Sequence, residues 1–359
     1  MGRGTLGVHP FRLLHPRPEG VARLGGQWAR RGRDLVSDPG VYLVTVKSAM
    51  GSVRAVALGV TVGESLPASG LLPHEAVDPH TVTRRIRALR RARVDREPVL
   101  LTHSGGCLAV SAAARSPRPL FTVSHGEVSV SVAHVPSTDA ELALADLGRR
   151  AVLVADGHHR LAAAAAHARS CQSAGAVDGD CVQVTALVVD GDDTPLRLAP
   201  IHRLLQRRAP APLCADDLLA ALRAVAEPVA TAVRRSGPGA AGEEHADAGA
   251  QHRVTVVDKS GEVSVLCPPR PHEALPTTAH VVERAIAQLP GATVRRLSDA
   301  EQVASAAARR GAVGVLMPPV SLAAVLDTVA GGLLMPVKAT SFRPKLPAGV
   351  LVRPLTSHW

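Results

Sequence analysis

Aromatic side chains are scarce in this chain of 359 residues: only 2% of the residues are Phe, Trp or Tyr, whereas 46% are hydrophobic. Because protein interiors are close-packed, the core must be built from Ala, Val and Leu, which favours thin layers of strands and helices. Proteins that bind single-stranded nucleic acids stack the bases on aromatic side chains. The scarcity of aromatic residues therefore argues against that class of protein.

Lysine is also rare, with only four in the chain: Lys47, Lys259, Lys338 and Lys345. The formal net charge is nevertheless +10 at pH 7, because nearly all of the positive charge is arginine. Arginine in place of lysine, together with abundant Ala, Gly and Pro, indicates a genome-wide compositional bias. We expect a basic, solvated surface; binding to nucleic acid through that charge is disfavoured, although it stays open as an alternative.

Paired cysteines and long apolar runs are missing too. The five cysteines include no C-x-x-C pair, and an odd, scattered set favours reduced thiols in a reducing compartment. The N-terminus has no continuous apolar region, and the most apolar helical stretch carries Asp327 and ends at a proline. The sequence therefore predicts a soluble, cytoplasmic protein with no membrane partner.

The order of hydrophobic segments predicts an α/β (α+β) protein with mixed sheets and helices. The chain is long for one core and comfortable for two. We expect an irregular N-terminal segment over residues 1–40, an N-terminal α/β domain over 41–205 and a C-terminal α/β domain over 206–359. Residues 236–251 are of low complexity and predict a flexible insert. Segments 138–141 (TDAE) and 298–301 (SDAE) match capping boxes that open helices.

The strongest functional signal is the pentapeptide DGHHR at residues 156–160. It follows an apolar run, residues 151–155 (AVLVA), that predicts a buried strand, and it precedes an alanine-rich helix. A strand, a polar turn and a helix in this order place functional side chains and helix amides at the edge of a sheet. Folding gains little from two adjacent histidines at such a junction, so the segment predicts a binding or catalytic site.

Each residue of the pentapeptide suits the handling of an anion. Asp156 accepts protons or binds a divalent cation, and Gly157 permits backbone geometry that other residues resist. His158 and His159 can donate hydrogen bonds or a proton near neutral pH. The guanidinium of Arg160 is a planar fork that matches phosphate or carboxylate. The alternative is that Asp156 only caps the helix while the histidines are solvated.

Four segments, in order along the chain, resemble the family called domain of unknown function 1015. Residues 152–166 (VLVADGHHRLAAAAA) closely resemble its DGHHR motif. Residues 72–75 (LPHE), followed by Arg85, Arg90 and Pro98, resemble an earlier stretch of the family. Residues 200–203 (PIHR) and 316–355 resemble its later elements.

The resemblance implies both a fold and a reaction. The family's motif is similar to the core of the ParB/sulfiredoxin superfamily, whose strand–turn–helix holds nucleotide phosphates, and some relatives are free L-serine kinases. The resemblance therefore implies phosphoryl transfer from a nucleotide or pyrophosphate to a small hydroxyl-bearing substrate, with Mg²⁺ as cofactor. A homodimer is also compatible with it.

The roles that the resemblance implies fall on twelve residues. The predicted catalytic residues are Glu75, Asp156, His158 and His159, and Glu75 and Asp156 are also the predicted Mg²⁺ ligands. The residues predicted to hold phosphate or substrate are His74, Gly157, Arg160, His202, Arg203, Lys338, Thr340 and Lys345.

The chain departs from the family pattern in several places. The usual proline-tyrosine segment before the first strands has no counterpart, and the motif positions that differ are Val77, Val82, Arg84, Asp95, Leu161, Val337 and Ala339. Two alternatives therefore stay open beside the kinase: a ParB-like module that binds nucleotide or nucleic acid, and a regulator that binds a ligand without turning it over.

Overall fold

The chain forms two compact units in the computed structural model. The first unit comprises Met1–Pro73, Val77–Arg197 and Pro344–Trp359, and the second comprises His74–Ala76 and Leu198–Arg343. Both units are thus discontinuous in sequence, whereas the predicted domains are continuous stretches, and the domain bounds stay a prediction. The structure describes all residues except 1–5, 16–20, 25–26, 31–34, 50, 64–65, 67–68, 107–117, 126, 174–181, 194–195, 210, 226–230, 233–251, 270–275, 346–348 and 356–359.

The described residues contain seven helices. They are α1 Pro79–Ala92, α2 Ser137–Leu147, α3 His158–Ser173, α4 Ala215–Val225, α5 Thr278–Ile286, α6 Ala300–Ala307 and α7 Leu322–Ala330. None of these helices is long and apolar enough to cross a membrane.

The strands of the first unit precede and follow its three helices. They are β1 Val8–His9, β2 Leu14–His15, β3 Val21–Leu24, β4 Gln27–Arg30, β5 Leu35–Val36, β6 Tyr42–Ser48, β7 Gly51–Thr61, β8 Leu71–Leu72, β9 Val94–Asp95, β10 Val99–His103, β11 Pro119–His125, β12 Val128–His134, β13 Val152–Asp156 and β14 Gln183–Asp190.

The remaining strands follow in chain order. They are β15 Arg197–Pro200, β16 His202–Gln206, β17 Thr231–Ala232, β18 Arg253–Asp258, β19 Gly261–Leu266, β20 Thr293–Leu297, β21 Ala312–Leu316, β22 Thr340–Arg343 and, back in the first unit, β23 Arg353–Pro354.

A nine-stranded mixed sheet organises the first unit. Its order is β11-β12-β6-β7-β14-β10-β13-β8, and β1 pairs with β7 beside this path. The pairs β10–β14 and β13–β8 are parallel, whereas the other pairs within this sheet are antiparallel. The predicted α/β class with mixed sheets is confirmed.

Both faces of this sheet are apolar. Along β6 and the residue before it, Val41 and Leu43 belong to one buried cluster, while Tyr42 and Val44 belong to another. This alternation follows from the two-residue period of a strand. Helix α3 packs on the first cluster through Leu161 and its alanines, and small side chains permit a close approach of helix to sheet. The core of the first unit is thus built mainly from aliphatic side chains in thin layers, as the scarcity of aromatic residues predicts.

The second unit is built on a six-stranded antiparallel sheet. Its order is β17-β19-β18-β21-β16-β20. Helix α6 packs on this sheet, because Val303 and Ala307 are fully buried and lie against Gly314 of β21. The predicted flexible insert at residues 236–251 lies outside the described residues.

Of the two helices with a predicted capping box, only α6 has a side chain that caps its start. Helix α2 begins at Ser137 after Pro136, and no side chain caps it, so the prediction that Thr138 caps this helix was wrong. The helix begins one residue before Thr138, so this threonine lies inside the first turn and not at the cap position, where its hydroxyl could accept a free amide. At α6 the cap is Asp299 rather than Ser298, and its carboxylate accepts the N–H of Gln302 at 3.0 Å.

A buried arginine anchors the C-terminal segment in the first unit. The guanidinium of Arg353 donates to the carbonyl oxygen of Gln183 at 2.7 Å and to the hydroxyl of Thr185 at 3.3 Å. The carboxylate of Asp95 lies 3.9 Å from this guanidinium and accepts the N–H of Thr185 at 2.9 Å. Only 2% of Arg353 is exposed. A buried charge of this kind is tolerated only because it is paired and hydrogen-bonded.

Replacing Arg353 with methionine should therefore destabilise the protein strongly. The substitution leaves the Asp95 carboxylate buried without its cation, which typically costs about 3–5 kcal/mol. Urea denaturation measures the free energy of unfolding. The control is Arg84→Met on the exposed side of α1, where we expect a change below about 0.5 kcal/mol. Equal effects of the two substitutions would contradict the anchoring role.

Candidate functional site

The DGHHR segment forms the predicted strand–turn–helix. Strand β13 ends at Asp156, helix α3 begins at His158, and Gly157 makes the turn between them. Gly157 has φ +101°, and a Cβ atom there would lie 3.0 Å from the side chain of Val99 and 3.1 Å from the guanidinium of Arg160. Both the conformation and the space require glycine at this position.

Two cations converge on the Asp156 carboxylate. A guanidinium nitrogen of Arg160 donates to one carboxylate oxygen, and Lys345 Nζ lies 3.4 Å from the other. Arg160 also donates to the carbonyl oxygen of Pro98. The structure therefore brings three of the predicted site residues together, Asp156, Arg160 and Lys345, and Arg160 fixes the orientation of the carboxylate. The side chains of Asp156 and Lys345 are 31% and 44% exposed, so the group is open to solvent.

His159 has a hydrogen-bond partner that the sequence does not indicate. Its Nε2 accepts the backbone N–H of Asp78 at 2.9 Å. Because a backbone N–H can only donate, Nε2 carries a lone pair and the neutral imidazole has its proton on Nδ1. Asp78 caps α1, and its hydrogen bonds to Thr81 hold the pKa of that carboxyl below its usual range. Asp78 directly precedes Pro79, and an aspartate followed by a proline is a sequence signal for the start of a helix. The sequence could therefore have indicated the capping role of Asp78. His158 is buried.

Glu75 lies in the second unit and is held by backbone amides. One carboxylate oxygen accepts the N–H of Ala339 at 3.1 Å, and the N–H and hydroxyl of Thr340 lie at 3.4 Å from it. Burial raises the pKa of Glu75, while hydrogen bonds from the backbone amides around Lys338 and the charge of Lys338 oppose the rise. Lys338 has φ +59°, a left-handed conformation that is uncommon outside glycine.

His74 shares this group. Its Nε2 lies 2.8 Å from the hydroxyl of Thr340, and its ring packs edge-on against Phe342, with centroids 5.6 Å apart. The N–H of Met335 donates to the carbonyl oxygen of His74 at 2.7 Å, which pairs the segment of residues 72–75 with the segment of residues 316–355. The structure thus brings four of the predicted residues together in the second unit: His74, Glu75, Lys338 and Thr340.

His202 and Arg203 lie on β16 of the same unit and are largely satisfied within it. Nδ1 of His202 accepts the N–H of Met317 at 3.0 Å, and burial lowers the pKa of this histidine. Arg203 is fully buried and donates through Nε to Glu283 at 2.8 Å, and Glu283 also holds Arg296 at 2.8 Å. Burial lowers the pKa of Arg203, whereas Glu283 raises it.

One nitrogen of Arg203 stands out. Its Nη2 is buried and has no hydrogen-bond partner among the described residues. The charge of Glu75 is near enough to favour the charged form of this guanidinium. Glu283, which holds Arg203, is 80 residues away in sequence, and no pattern in the sequence indicated it.

The predicted residues are therefore divided between the two units. The first unit holds Asp156, Gly157, His158, His159, Arg160 and Lys345, and the second holds His74, Glu75, His202, Arg203, Lys338 and Thr340. Within the part of the chain that the structure describes, no three His, Cys, Asp or Glu side chains are placed to hold a metal ion. Mg²⁺ binds through one or two carboxylates together with phosphate oxygens, so Asp156 is suited to hold Mg²⁺ only together with a bound phosphate.

Sequence comparison gives the family. A family model described as "Protein of unknown function (DUF1015)" matches residues 26–296, roughly three quarters of the chain. The chain belongs to this family, which confirms the resemblance seen in its motifs. No curated protein matches the chain.

Several solved structures are similar at low sequence identity. SbnI with a C-terminal truncation from Staphylococcus aureus is 15% identical, with a TM-score of 0.44 over 80% of this chain and 84% of that one. A conserved hypothetical protein from Pyrococcus furiosus is 16% identical, with a TM-score of 0.42 over 79% and 92%. A free serine kinase in complex with AMP is 14% identical, with a TM-score of 0.40 over 78% and 89%.

Gly157→Ala should destabilise the first unit. The added Cβ meets Val99 and Arg160 and forces a side chain into a left-handed conformation, which together cost about 1–3 kcal/mol. Chemical denaturation measures the loss. Gly63→Ala is the matched control, because nothing lies within 4 Å of a Cβ there and its φ is not positive. If both substitutions had the same effect, the turn would not depend on glycine.

Glu75→Gln should change how stability depends on pH. A carboxyl whose pKa is raised by folding contributes stability below its unfolded pKa, and that stability is lost as the pH rises through the folded pKa. The free energy of unfolding of the wild type, relative to Glu75→Gln, should therefore fall as the pH rises above 4.5, the ordinary pKa of a glutamate. Denaturation curves at several pH values test this. A difference that grows with pH would show that the amides lower the pKa more than burial raises it.

Proposed function

We propose that this protein is a Mg²⁺-dependent phosphotransferase. It moves a phosphoryl group from a nucleotide or pyrophosphate to the hydroxyl of a small molecule such as free serine. The observation that carries the proposal is the turn at Asp156, where a carboxylate, Arg160 and Lys345 meet beside the start of helix α3. The family resemblance of the four motifs supports the same reaction.

The turn in the first unit suits the phosphate donor. Phosphoryl transfer depends mainly on positioning and on neutralising negative charge. The start of α3 offers helix amides and the positive end of its dipole to an anion. Asp156 is partly exposed and is assigned to Mg²⁺, while Lys345, which contacts the carboxylate at 3.4 Å, is assigned to the phosphate oxygens. As part of the same proposal, this strand–turn–helix is a phosphate-binding core of the ParB/sulfiredoxin type.

Glu75 in the second unit suits the acceptor. A general base works best when its pKa is moved towards the working pH, and burial moves the pKa of Glu75 upward. The amides of Ala339 and Thr340 fix one oxygen of the carboxylate. We assign Glu75 the role of the general base, which accepts the proton from the hydroxyl of the acceptor. The buried Nη2 of Arg203, which has no partner within the described part of the chain, supports a role in holding an anionic group of that substrate.

A regulator that binds the same ligands without turnover is the second candidate. The departures at Val337 and Ala339 favour it. However, Ala339 meets Glu75 through its backbone N–H, which alanine supplies as well as serine or threonine. This departure therefore removes no hydrogen bond to Glu75, and catalysis is the better supported reading of the site.

The test is direct. Purified protein with Mg²⁺, serine and either ATP, ADP or pyrophosphate should yield phosphoserine, detected by ³¹P NMR or mass spectrometry. Asp156→Asn should lower kcat by about 100-fold or more, because the metal and the phosphates lose their anchor. The control is Asp193→Asn, which removes an exposed carboxylate paired with Arg54 in the same unit and should leave the rate unchanged.

The outcomes separate the two candidates. A folded sample that produces no phosphoserine with any donor contradicts the proposed reaction. If nucleotide or pyrophosphate still raises the Tm of that sample, the protein is a ligand-binding regulator.

A further inference from the structure

Two pairs of adjacent arginines meet at one end of the sheet in the second unit. Arg207 and Arg208 follow the end of β16, and Arg309 and Arg310 precede β21. The pairing of Gln206 with Ala312 brings the two ends side by side, and the N–H of Arg207 donates to the carbonyl oxygen of Gly311 at 3.0 Å. Together with neighbouring residues they line a cavity of about 390 Å³, here called the arginine pocket: Gln206, Arg207, Arg208, Ala209, Gly291, Thr293, Arg309, Arg310 and Gly311.

The charge of the arginine pocket is unbalanced. No carboxylate is among its lining residues. Arg207 is paired with Asp217 at 3.1 Å and donates to the carbonyl oxygen of Ala211. The other three guanidinium groups have neither an ion pair nor a hydrogen bond within the described chain. Cations gathered around a concavity focus positive potential into it and raise the local concentration of anions.

The close approach of the two arginine pairs depends on a glycine. Gly311 has φ +77°, and a Cβ atom there would lie 2.7 Å from the carbonyl oxygen of Arg207. A larger residue would push the two chain segments apart. A compositional preference for arginine explains the number of arginines in the chain, but it does not explain their convergence at a junction that only glycine allows.

The dimensions and donors of the pocket select the ligand. Guanidinium groups bind phosphate oxygens through parallel hydrogen bonds, and they keep their charge at any physiological pH. Ligand pockets generally measure about 300 to 1,000 Å³, so the arginine pocket is at the small end. We propose that it binds a small phosphate-bearing molecule with at least two negative charges, of the size of pyrophosphate, at a site distinct from the turn at Asp156.

Pyrophosphate is the probe that tests this inference. Its binding is measured by isothermal titration calorimetry in a Lys345→Ala background, so that the proposed donor site of the first unit is weakened in every sample. Adding Arg309→Gln and Arg310→Gln should weaken the affinity about tenfold or more, because hydrogen bonds between charged groups are lost. The control adds Arg84→Gln and Arg87→Gln instead, two exposed arginines of α1. It removes the same net charge and should change the affinity by less than about twofold, since these arginines do not line the pocket and salt screens exposed charges.

Each possible result either supports or overturns the proposal that the arginine pocket binds pyrophosphate. Equal affinity in the two double variants, or no measurable binding in the background protein, overturns the proposal. The proposal is also overturned if the protein binds a DNA duplex more tightly than pyrophosphate and loses that binding in the Arg309→Gln/Arg310→Gln variant. The pocket would then be part of a nucleic-acid-binding surface. Phosphoserine formation by Arg309→Gln/Arg310→Gln, with Lys345 intact, should equal the wild-type rate. The pocket and the proposed reaction therefore fail independently.

Discussion

The candidate site of the first unit depends on the carboxylate of Asp156, because two cationic side chains contact this carboxylate. Arg160 reaches it from the first turn of α3, and Lys345 reaches it from the C-terminal segment. The contact with Lys345 is half exposed and contributes at most about 1 kcal/mol. The buried Arg353 contributes much more, so it is Arg353 that holds this segment in place. Lys345 is thereby positioned without having to stabilise the fold, which leaves it available for an anion.

The sequence could predict the strand, the turn and the helix of this site, because all three signals are local. An apolar run, a glycine and an alanine-rich stretch are each read within a few residues. The partners of the same residues could not be predicted. Arg160 donates a hydrogen bond to the carbonyl oxygen of Pro98, which is 62 residues away, and His159 accepts a hydrogen bond from the backbone N–H of Asp78, 81 residues away. Backbone groups of distant residues carry no sequence signature, so only the fold reveals them.

Glu75 shows a different limit of sequence reasoning. The motif predicts a functional carboxylate, but it does not show that the carboxylate is buried or that the backbone after Lys338 binds it. The same gap affects the departures from the family pattern. Ala339 counts against catalysis when side chains are compared, yet its contribution in the structure is an N–H group that nearly every residue type provides. A motif position that acts through its backbone tolerates substitution far better than one that acts through its side chain.

Arginine illustrates how environment, rather than composition, decides a residue's role. Arg353 is buried and matched by hydrogen-bond acceptors, so it stabilises the fold. Arg203 is equally buried, but one of its nitrogens has no partner among the residues that the structure describes, and such a group costs free energy until an acceptor reaches it. The arginines at positions 309 and 310 are exposed and cost little to hydrate, so they gain from an anion only through their convergence with Arg207 and Arg208. The net charge of +10 is common to all of them and by itself identifies none of these roles.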